Sequence, residues 1–267
     1  MGKLGLARIA APRAGRYGTA MASVDLVIPV YNEQRVLADS VARLRAWCAE
    51  NLPYAWRVVV ADNASTDTTL EVAQKLAGEN PGDTAVVHLD QKGRGRALKR
   101  AWLESQADAM CYMDVDLSTD LADITPLLRG VLEEGYDVAY GSRVAGAANI
   151  ERSLRREINS RGFITLIKAL FWTKFSDAQC GFKAITRAAA HELLPQVQDG
   201  EWFFDTELLV IAEKAGYRLK EVPVRWVEDP DSRVKFPQDI IKMASQLVRL
   251  RMRRLPSREQ LRARAAA

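Results

Sequence analysis

Apolar runs and amphipathic stretches alternate along the first half of this sequence, and that alternation constrains the fold more than any other feature. The apolar runs predict strands at residues 24–30, 57–61, 85–89 and 109–113, and the stretches between them predict helices at residues 33–50, 67–79 and 95–106. Continuous apolar strands that alternate with helices are typical of parallel sheets covered on both faces. We therefore expect an α/β fold built on a mostly parallel, doubly covered sheet.

Each predicted strand is followed directly by a polar segment. The four segments are Pro29-Val30-Tyr31-Asn32-Glu33, Asp62-Asn63-Ala64-Ser65-Thr66-Asp67, Asp90-Gln91-Lys92-Gly93-Arg94-Gly95 and Asp114-Val115-Asp116. Ligands of open α/β sheets bind beyond the carboxyl ends of the strands, so we expect these loops to converge on one edge and form the functional site. A simpler interpretation is local: Asn32 caps one helix and Ser65 or Asp67 caps the next, which we expect of at least one of them.

Two carboxylates, those of Asp114 and Asp116, follow the strand at residues 109–113. Hard cations such as Mg²⁺ or Mn²⁺ take oxygen ligands and are usually held by one or two carboxylates together with substrate phosphates. This spacing therefore suggests a site for a metal and a diphosphate. The alternative is an acidic turn in which Asp116, Ser118 or Asp120 caps the following helix, and the Asp-x-Asp pattern alone does not decide between the two.

The common phosphate-binding loops are missing from the sequence. Gly93-x-Gly95 is only a fragment of such a loop, and Arg96 stands where phosphate loops favour a small residue. This argues against NAD binding and against a P-loop ATPase. The remaining interpretation is a nucleotide held by several strand ends, with a metal that neutralises its diphosphate.

The distribution of charge argues against a nucleic-acid partner. The net charge is +4, but residues 1–20 carry four basic side chains and no acid, and residues 249–267 carry seven arginines against one glutamate. The sequence between them has no basic stripe interleaved with aromatic residues, as a nucleic-acid surface would have. Basic ends beside apolar residues suit an anionic membrane surface better.

Three widely separated cysteines and two histidines argue against a zinc site and a disulfide framework. Cys111 lies in an apolar run, which indicates a core thiol and a reducing, cytosolic compartment. No stretch approaches the ~20 apolar residues that span a bilayer, and the first residues lack the apolar centre of a signal peptide. We expect residues 1–20 to be a disordered extension, and Met21 is a candidate for the true start.

Ile28-Pro29-Val30-Tyr31-Asn32-Glu33, the segment at 62–67 and Asp114-Val115-Asp116 together resemble the nucleotide-binding half of family-2 glycosyltransferases with the GT-A fold. Three later segments are similar to the dolichyl-phosphate β-glucosyltransferase branch, near the dolichyl-phosphate mannose synthases. They are Asp177-Ala178-Gln179-Cys180-Gly181-Phe182-Lys183, Phe204-Asp205-Thr206-Glu207-Leu208-Leu209 and Glu221-Val222-Pro223-Val224-x-Trp226. The resemblance implies a nucleotide-sugar donor, a polyprenyl phosphate acceptor, a divalent metal and inversion at the anomeric carbon.

The resemblance also implies a division of the chain. A catalytic domain would occupy residues 21–236, with a nucleotide and metal half at 21–143 and an acceptor half at 144–236. Residues 237–267 would form a basic amphipathic helix and tail.

Residue roles follow from the same resemblance. The base and ribose would be held by Pro29, Tyr31, Glu33 and Asp62. The diphosphate would be held by Asp114, Val115 and Asp116, and the metal by Asp114 and Asp116. Arg143 would contact a phosphate. Asp116 and Arg143 would be catalytic, and Arg156 and Ser160, four residues apart on one helix face, would contact the acceptor phosphate. The sequence departs from the mannose synthases at two positions. Ser118 stands where they have a metal-binding glutamine. They also have a Ser-Lys pair whose lysine closes the diphosphate site, and here Arg233 or Lys235 would supply that positive charge.

The chemistry of sugar transfer bears on Asp205. A departing diphosphate gains negative charge, which a metal and nearby arginines offset. A phosphate acceptor is already ionised near pH 7 and hardly needs a general base, whereas a hydroxyl acceptor would need one, and Asp205 is then the candidate. Alternatively, Asp205 and Glu207 only cap a helix, and Asp177 only orients the segment around Gly181.

The sugar and the acceptor are left open by the sequence. UDP-glucose is the first expectation, while GDP-mannose, a UDP-N-acetylhexosamine, a glycan or other hydroxyl acceptor, and a non-catalytic nucleotide-binding protein remain alternatives. A membrane-protein partner and the oligomeric state are open as well.

Two stretches are candidates for a membrane interface. Residues 150–175 combine four arginines with a run of apolar and aromatic residues, and residues 240–255 carry four more arginines. Such helices can lie at a bilayer surface, which predicts peripheral, salt-sensitive attachment at the cytoplasmic face. The alternative for residues 150–175 is a helix packed on the sheet with solvated arginines.

Overall fold

The computed structural model describes residues 21–144, 154–226 and 238–266, and for residues 154–161 and 238–241 it describes the backbone. The predictions made for residues 1–20, Arg233 and Lys235 lie outside these ranges. Arg156 and Ser160 belong to a described helix, but the predictions for their side chains lie outside the described part.

The described part of the chain forms one seven-stranded sheet. Its strands are β1 Ser23–Val30, β2 Ala55–Asn63, β3 Thr84–Leu89, β4 Ala109–Met113, β5 Val138–Ser142, β6 Phe182–Thr186 and β7 Leu219–Pro223. The strand order is β3-β2-β1-β4-β6-β5-β7, in which β6 runs antiparallel to both neighbours and every other pairing is parallel. The mostly parallel sheet is confirmed, and it runs through both predicted halves of the catalytic domain.

Helices cover both faces of this sheet. They are α1 Leu37–Asn51, α2 Thr69–Glu79, α3 Arg94–Glu104, α4 Ile124–Leu132, α5 Leu154–Phe171, α6 Arg187–Leu193, α7 Phe204–Ala215, α8 Gln238–Met252 and α9 Arg258–Ala266. Because side chains alternate across a strand, Val27 and Tyr112 lie in one hydrophobic core, while Ile28 and Cys111 lie in a second core on the opposite face. The expected core position of Cys111 is confirmed.

Two helix starts differ from the prediction for local reasons. The first helix begins at Leu37 and not at residue 33, because Asn32 adopts a positive φ of 55° and the chain then makes a turn in which the N–H of Leu37 donates to the Glu33 carbonyl at 3.0 Å. The second begins at Thr69 and not at residue 67, since Asp67 accepts a hydrogen bond from the Thr69 N–H at 2.9 Å. Asp67 thus holds the N–H of the first residue of α2 from outside the helix, but the N-cap of α2 is Thr68, so the capping prediction is wrong for Asp67.

Helix α5 packs on the sheet through its C-terminal half, where Ile167 and Phe171 are buried in the core. Leu166 and Trp172 are exposed, and Trp172 follows the helix with a φ of +50°. One face of this half is thus packed in the core, as the alternative proposed, and the interfacial placement of residues 150–175 remains a prediction. None of the described helices has the length and hydropathy needed to cross a bilayer.

Candidate active site

The loops after β1 and β2 are hydrogen-bonded to each other. The N–H of Asn32 donates to Ser65 Oγ at 3.0 Å, and the N–H of Thr66 donates to Asn32 Oδ1 at 2.8 Å. Asn32 is therefore a link between loops, and the capping interpretation is wrong for it, because the N-cap of α1 is Val36.

The loops after β2, β3 and β4 are joined in the same way. Asn63 Oδ1 accepts a hydrogen bond from the Gly93 N–H, and the Arg94 guanidinium donates to Asp114 Oδ1 at 2.7 Å. All four polar strand ends thus meet at one edge of the sheet, as predicted. We call this edge, formed by residues 31–33, 62–67, 90–95 and 114–118, the rim.

Backbone strain concentrates at the rim. Asn32, Ala64 and Leu117 have positive φ values of 55°, 57° and 51°, each in a rim loop, and Trp172 is the other residue besides glycine with positive φ in the described part. Residues other than glycine adopt this conformation at a cost, and such strain clusters at sites where a loop must present particular groups.

The Asp114 carboxylate is fixed from two sides and remains accessible. Its Oδ1 accepts from Arg94, its Oδ2 lies against the backbone of Gly181, and the side chain is 42% exposed. A Cβ at position 181 would overlap this carboxylate, so only glycine fits there. The segment around Gly181 is more than sixty residues away in the chain, and the sequence carries no local signal for this contact.

Asp116 and Asp120 each accept a local hydrogen bond. The Ser118 N–H donates to Asp116 Oδ1 at 3.0 Å, and the Ala122 N–H donates to Asp120 Oδ1 at 2.9 Å. The capping alternative is therefore correct for Asp120, at the start of a short 3₁₀ turn. Ser118 Oγ accepts from the Trp226 indole N–H at 3.1 Å, which ties the rim to the chain after β7.

Asp114 and Asp116 fit a hard divalent cation by the chemistry of their oxygens. Within the described ranges, no cluster of three or more His, Cys, Asp or Glu side chains is positioned to hold a metal. A cation here would complete its shell with water and with phosphate oxygens of a substrate, as Mg²⁺ commonly does.

Asp205 lies at the centre of a buried ionic cluster. Arg94 donates to Asp205 Oδ2 at 2.9 Å, Lys183 Nζ lies 3.1 Å from Oδ1, and the Tyr112 hydroxyl donates to Oδ1. Burial alone would raise the pKa of Asp205, but Lys183 and Arg94 outweigh it and hold the pKa below its ordinary value. An ionised carboxylate with three donors is a weak proton acceptor. Asp205 is the second residue of α7 and does not cap it.

The close approach of α3 and α7 brings Arg94 to both carboxylates. A Cβ on Gly95 would stand 2.6 Å from the Cβ of Phe204, the first residue of α7, so a side chain at 95 would push the helices apart. The Gly93-x-Gly95 fragment thus has a packing role. Arg94 itself links Asp114 at the rim to Asp205 in the interior, a bridge that the sequence did not reveal.

Arg143 and Asp177 form a second buried ion pair. The guanidinium donates to both carboxylate oxygens at 2.8 and 3.0 Å, and the Gln179 N–H donates to Asp177 Oδ1 at 3.1 Å. Burial would raise the pKa of Asp177, but Arg143 more than compensates and lowers it. Asp177 therefore orients the turn that leads to Gly181, as the alternative interpretation proposed. The predicted phosphate contact of Arg143 remains a prediction.

The residues predicted to hold the nucleotide lie together at the ends of β1 and β2. Pro29 pairs with Ala61, and Val30 with Asp62, so the two strand ends are level. Asp62 is buried, with Oδ2 2.7 Å from His88 Nδ1 and with no partner for Oδ1 in the part of the chain that the structure describes.

Tyr31 and Glu33 lie on the neighbouring loop. The Tyr31 ring lies 3.4 Å from Lys92 Nζ, and the Glu33 N–H donates to Thr69 Oγ1 at 2.8 Å. The sequence analysis gave no role to Lys92 or His88, although Lys92 lies in one of the polar segments and His88 lies just before it.

Glu207 does not cap α7 and is not at the rim. Its Oε2 accepts from the N–H groups of Gln198 and Asp199 at 3.1 and 2.7 Å, and its Oε1 forms an ion pair with Arg253 after α8. Glu207 therefore fastens the loop before α7 to the C-terminal helices.

Comparison with known proteins gives this site a family. The sequence profile described as Glycosyl transferase family 2 matches residues 25–194. The glycosyltransferase AglD of Haloferax volcanii is 37% identical over 230 residues, which cover 85% of this chain and 36% of AglD. The dolichyl-phosphate β-glucosyltransferase ALG5C of Trichomonas vaginalis is 32% identical over 234 residues, which cover 84% of this chain and 69% of that protein.

A solved structure shares the fold. Glucosyl-3-phosphoglycerate synthase from Mycobacterium tuberculosis, in complex with UDP, superposes with a TM-score of 0.64 at 18% identity, covering 86% of this chain and 79% of that one. This likeness identifies the sheet and its helices as a GT-A fold. This chain spans about a third of the length of AglD, and more than two thirds of the Trichomonas protein. Because the family profile covers more than half of the sequence, the protein belongs to glycosyl transferase family 2 and is a glycosyltransferase.

Proposed function

We propose that this protein transfers a hexose, glucose from UDP-glucose in the first instance, to a polyprenyl phosphate of the dolichyl class with inversion at the anomeric carbon. The observation that carries the proposal is the Asp114 carboxylate, which Arg94 and Gly181 hold in place at an exposed strand end of a family-2 glycosyltransferase. Relatives named dolichyl-phosphate β-glucosyltransferase, from Trichomonas and from Saccharomyces cerevisiae, support the acceptor and the sugar.

Asp114 and Asp116 would hold Mg²⁺ or Mn²⁺. Glucosyl-3-phosphoglycerate synthase has been solved with Mn²⁺ and UDP and with Mg²⁺ and UDP. A bound cation would offset the negative charge that develops on the departing diphosphate. Arg143 directly follows β5 at the same edge of the sheet and would add a positive charge. Arg233 or Lys235 would supply another.

The nucleoside would lie at the level ends of β1 and β2. Asp62 Oδ1 needs a hydrogen-bond donor, and the imide N–H of a uracil would satisfy it. Pro29, Tyr31 and Glu33 would border the same position, and Val115, between Asp114 and Asp116, would lie beside the diphosphate.

The state of Asp205 favours a phosphate acceptor over a hydroxyl acceptor. Three donors and a lowered pKa make Asp205 a poor general base. A phosphate monoester is already ionised near pH 7, so its oxygen attacks the anomeric carbon without a base while the bond to the diphosphate breaks. Arg156 and Ser160, four apart on α5, would hold that phosphate.

We propose peripheral attachment at the cytoplasmic face of a membrane through α8. Val248 and Met252 are 54% and 82% exposed and lie one helical turn apart, with exposed arginines at 249, 251 and 254 around them. Apolar side chains flanked by arginines are typical of interfacial helices. Binding to vesicles that contain anionic lipid should fall with added salt and with Met252→Ser, whereas a variant that binds as wild type would contradict this orientation.

The function is tested by supplying the purified protein with labelled UDP-glucose, GDP-mannose or UDP-N-acetylglucosamine, a short-chain polyprenyl phosphate, and Mg²⁺ or Mn²⁺. We expect labelled sugar in the organic phase, dependent on the cation and greatest with UDP-glucose. Sugar transferred only to water-soluble acceptors would refute the lipid assignment, and greater transfer from another donor would refute the choice of glucose.

A further inference from the structure

Trp202 is an exposed aromatic side chain beside the rim that neither the sequence prediction nor the proposed function uses. Its side chain is 54% exposed, and its ring lies 5.2 Å from the guanidinium carbon of Arg94. The Tyr112 ring lies 5.0 Å from the same guanidinium carbon, and this guanidinium binds Asp114 at 2.7 Å. An exposed indole thus lies one side chain away from a predicted metal ligand.

The loop that carries Trp202 is held in place on several sides. The Gly200 carbonyl accepts from the Arg96 N–H at 3.0 Å, and the Asp199 side chain accepts from the Glu201 N–H at 2.7 Å. Gln246 of α8 binds Asp199, and Lys242 of the same helix lies 3.5 Å from the Glu201 carboxylate. A large apolar surface on a fastened loop is already ordered before a ligand binds, which lowers the entropy cost of binding.

We propose that the Trp202 indole is a stacking platform for the pyranose ring of the donor sugar. A hexopyranose with equatorial hydroxyls presents a flat face of C–H groups, and an indole offers the largest flat apolar surface of any side chain. A sugar attached to a diphosphate at Asp114 and Asp116 would be within reach of this ring. The inference rests on the proposed function in one respect, that the donor is a nucleotide sugar.

Trp172 provides a matched control, because it is also exposed but lies at the other end of α7. Trp202 precedes the first residue of α7 by two positions, whereas the Trp172 carbonyl accepts from Lys214, the second-last residue of that helix, at 3.4 Å. The two ends of a twelve-residue helix are separated by about 16 Å.

The experiment compares the binding of UDP and of UDP-glucose to the full chain with Mn²⁺, by calorimetry and without a lipid acceptor. For Trp202→Ala we expect about tenfold weaker binding of UDP-glucose, with the affinity for UDP unchanged. Trp202→Phe should recover most of the loss, and Trp172→Ala should bind both ligands as wild type. Tryptophan emission should respond more to UDP-glucose than to UDP in wild type and in Trp172→Phe, and equally to both in Trp202→Phe.

Several outcomes would overturn the assignment. Trp202→Ala with wild-type affinity for UDP-glucose, or with an equal loss for UDP, would show that the indole does not contact the sugar. A second contrary result is that wild type transfers sugar to polyprenyl phosphate while the Trp202 variants keep their preference for UDP-glucose over UDP. That result would refute the stacking role of Trp202 and leave the proposed function intact. If wild type binds none of UDP-glucose, GDP-mannose and UDP-N-acetylglucosamine and transfers sugar from none of them, the platform and the proposed function fail together.

Discussion

The Asp114 carboxylate at the rim and the carboxylates in the interior of the second half have opposite environments. The Asp114 side chain is 42% exposed, whereas those of Asp205 and Asp177 are 4% and 3% exposed. Each buried carboxylate is paired with a cation and further donors, because an unpaired buried charge is very costly. One carboxylate oxygen of Asp114 accepts a hydrogen bond from Arg94, and part of the side chain is exposed to solvent. The interior carboxylates therefore position other groups, and the Asp114 carboxylate is available to a ligand.

The largest effect that this comparison predicts is loss of activity at the rim without loss of stability. Asp114→Asn should reduce sugar transfer by about 10²–10³-fold, because it removes charge beside the departing diphosphate. Its free energy of unfolding, measured by urea denaturation, should change by less than about 1 kcal/mol, as expected for a half-exposed site. The control is Asp39→Asn on the exposed face of α1, which should alter neither quantity. An unfolded Asp114→Asn protein would break the comparison.

The converse effect belongs to the interior. Lys183 is fully buried and binds the Ala178 and Cys180 carbonyls at 3.2 and 2.7 Å as well as Asp205. Lys183→Met should lower the free energy of unfolding by about 3 kcal/mol, because it leaves Asp205 less well compensated. Lys75→Met on exposed α2 is the control and should be within about 0.5 kcal/mol of wild type. A stable Lys183→Met protein would show that Arg94 and Tyr112 suffice for Asp205.

Gly181→Ala sharpens the comparison, because a side chain at position 181 would disturb the Asp114 carboxylate at the rim. The new Cβ would displace the Asp114 carboxylate, so we expect about tenfold lower kcat/KM for transfer with a fold that survives. The decrease should be accompanied by a weaker response of activity to Mn²⁺ concentration. Gly78→Ala is the control, because nothing lies within 4 Å of its added Cβ on α2, where alanine should stabilise slightly. Equal activity of the two variants would mean that Asp114 need not stay in place.

The last effect concerns pH and the Arg143–Asp177 pair. Because the folded-state pKa of Asp177 is lowered, its stabilising contribution is complete above the ordinary carboxyl pKa and disappears as the pH falls through the folded value. Arg143→Gln should therefore cost about 1–3 kcal/mol near neutral pH, and this difference from wild type should shrink below about pH 4. Thermal unfolding of both proteins from pH 3 to pH 7 measures it. A difference that stays constant across this range would exclude the ion pair as its source.

Much of the first half could be predicted from sequence, because its signals are local. The strands β1 to β4 lie within a few residues of their predicted ranges, since apolar runs and the polar residues after them mark each strand end. Convergence of the loops follows from the parallel order of the strands. The helix starts were less accurate, because the positive φ of Asn32 and the side-chain bond of Asp67 are turn features that periodicity does not register.

The second half depended on contacts between distant residues. The antiparallel insertion of β6 between β4 and β5, the contact of Gly181 with Asp114, and the role of Glu207 in fastening the loop before α7 have no local sequence signal. The resemblance to the glucosyltransferase branch indicated that Asp177 and Asp205 matter, but only the folded structure showed that both are buried and ion-paired.

The sequence by itself determined the alternation of strands and helices, the polar strand ends and the pair Asp114 and Asp116, because periodicity and motif spacing are properties of neighbouring residues. Only the tertiary structure decided which carboxylates are neutralised and which are exposed. Arg94 shows the physical reason: it binds Asp114 and Asp205, residues 20 and 111 positions away, and the close packing of Gly95 against Phe204 holds it between them.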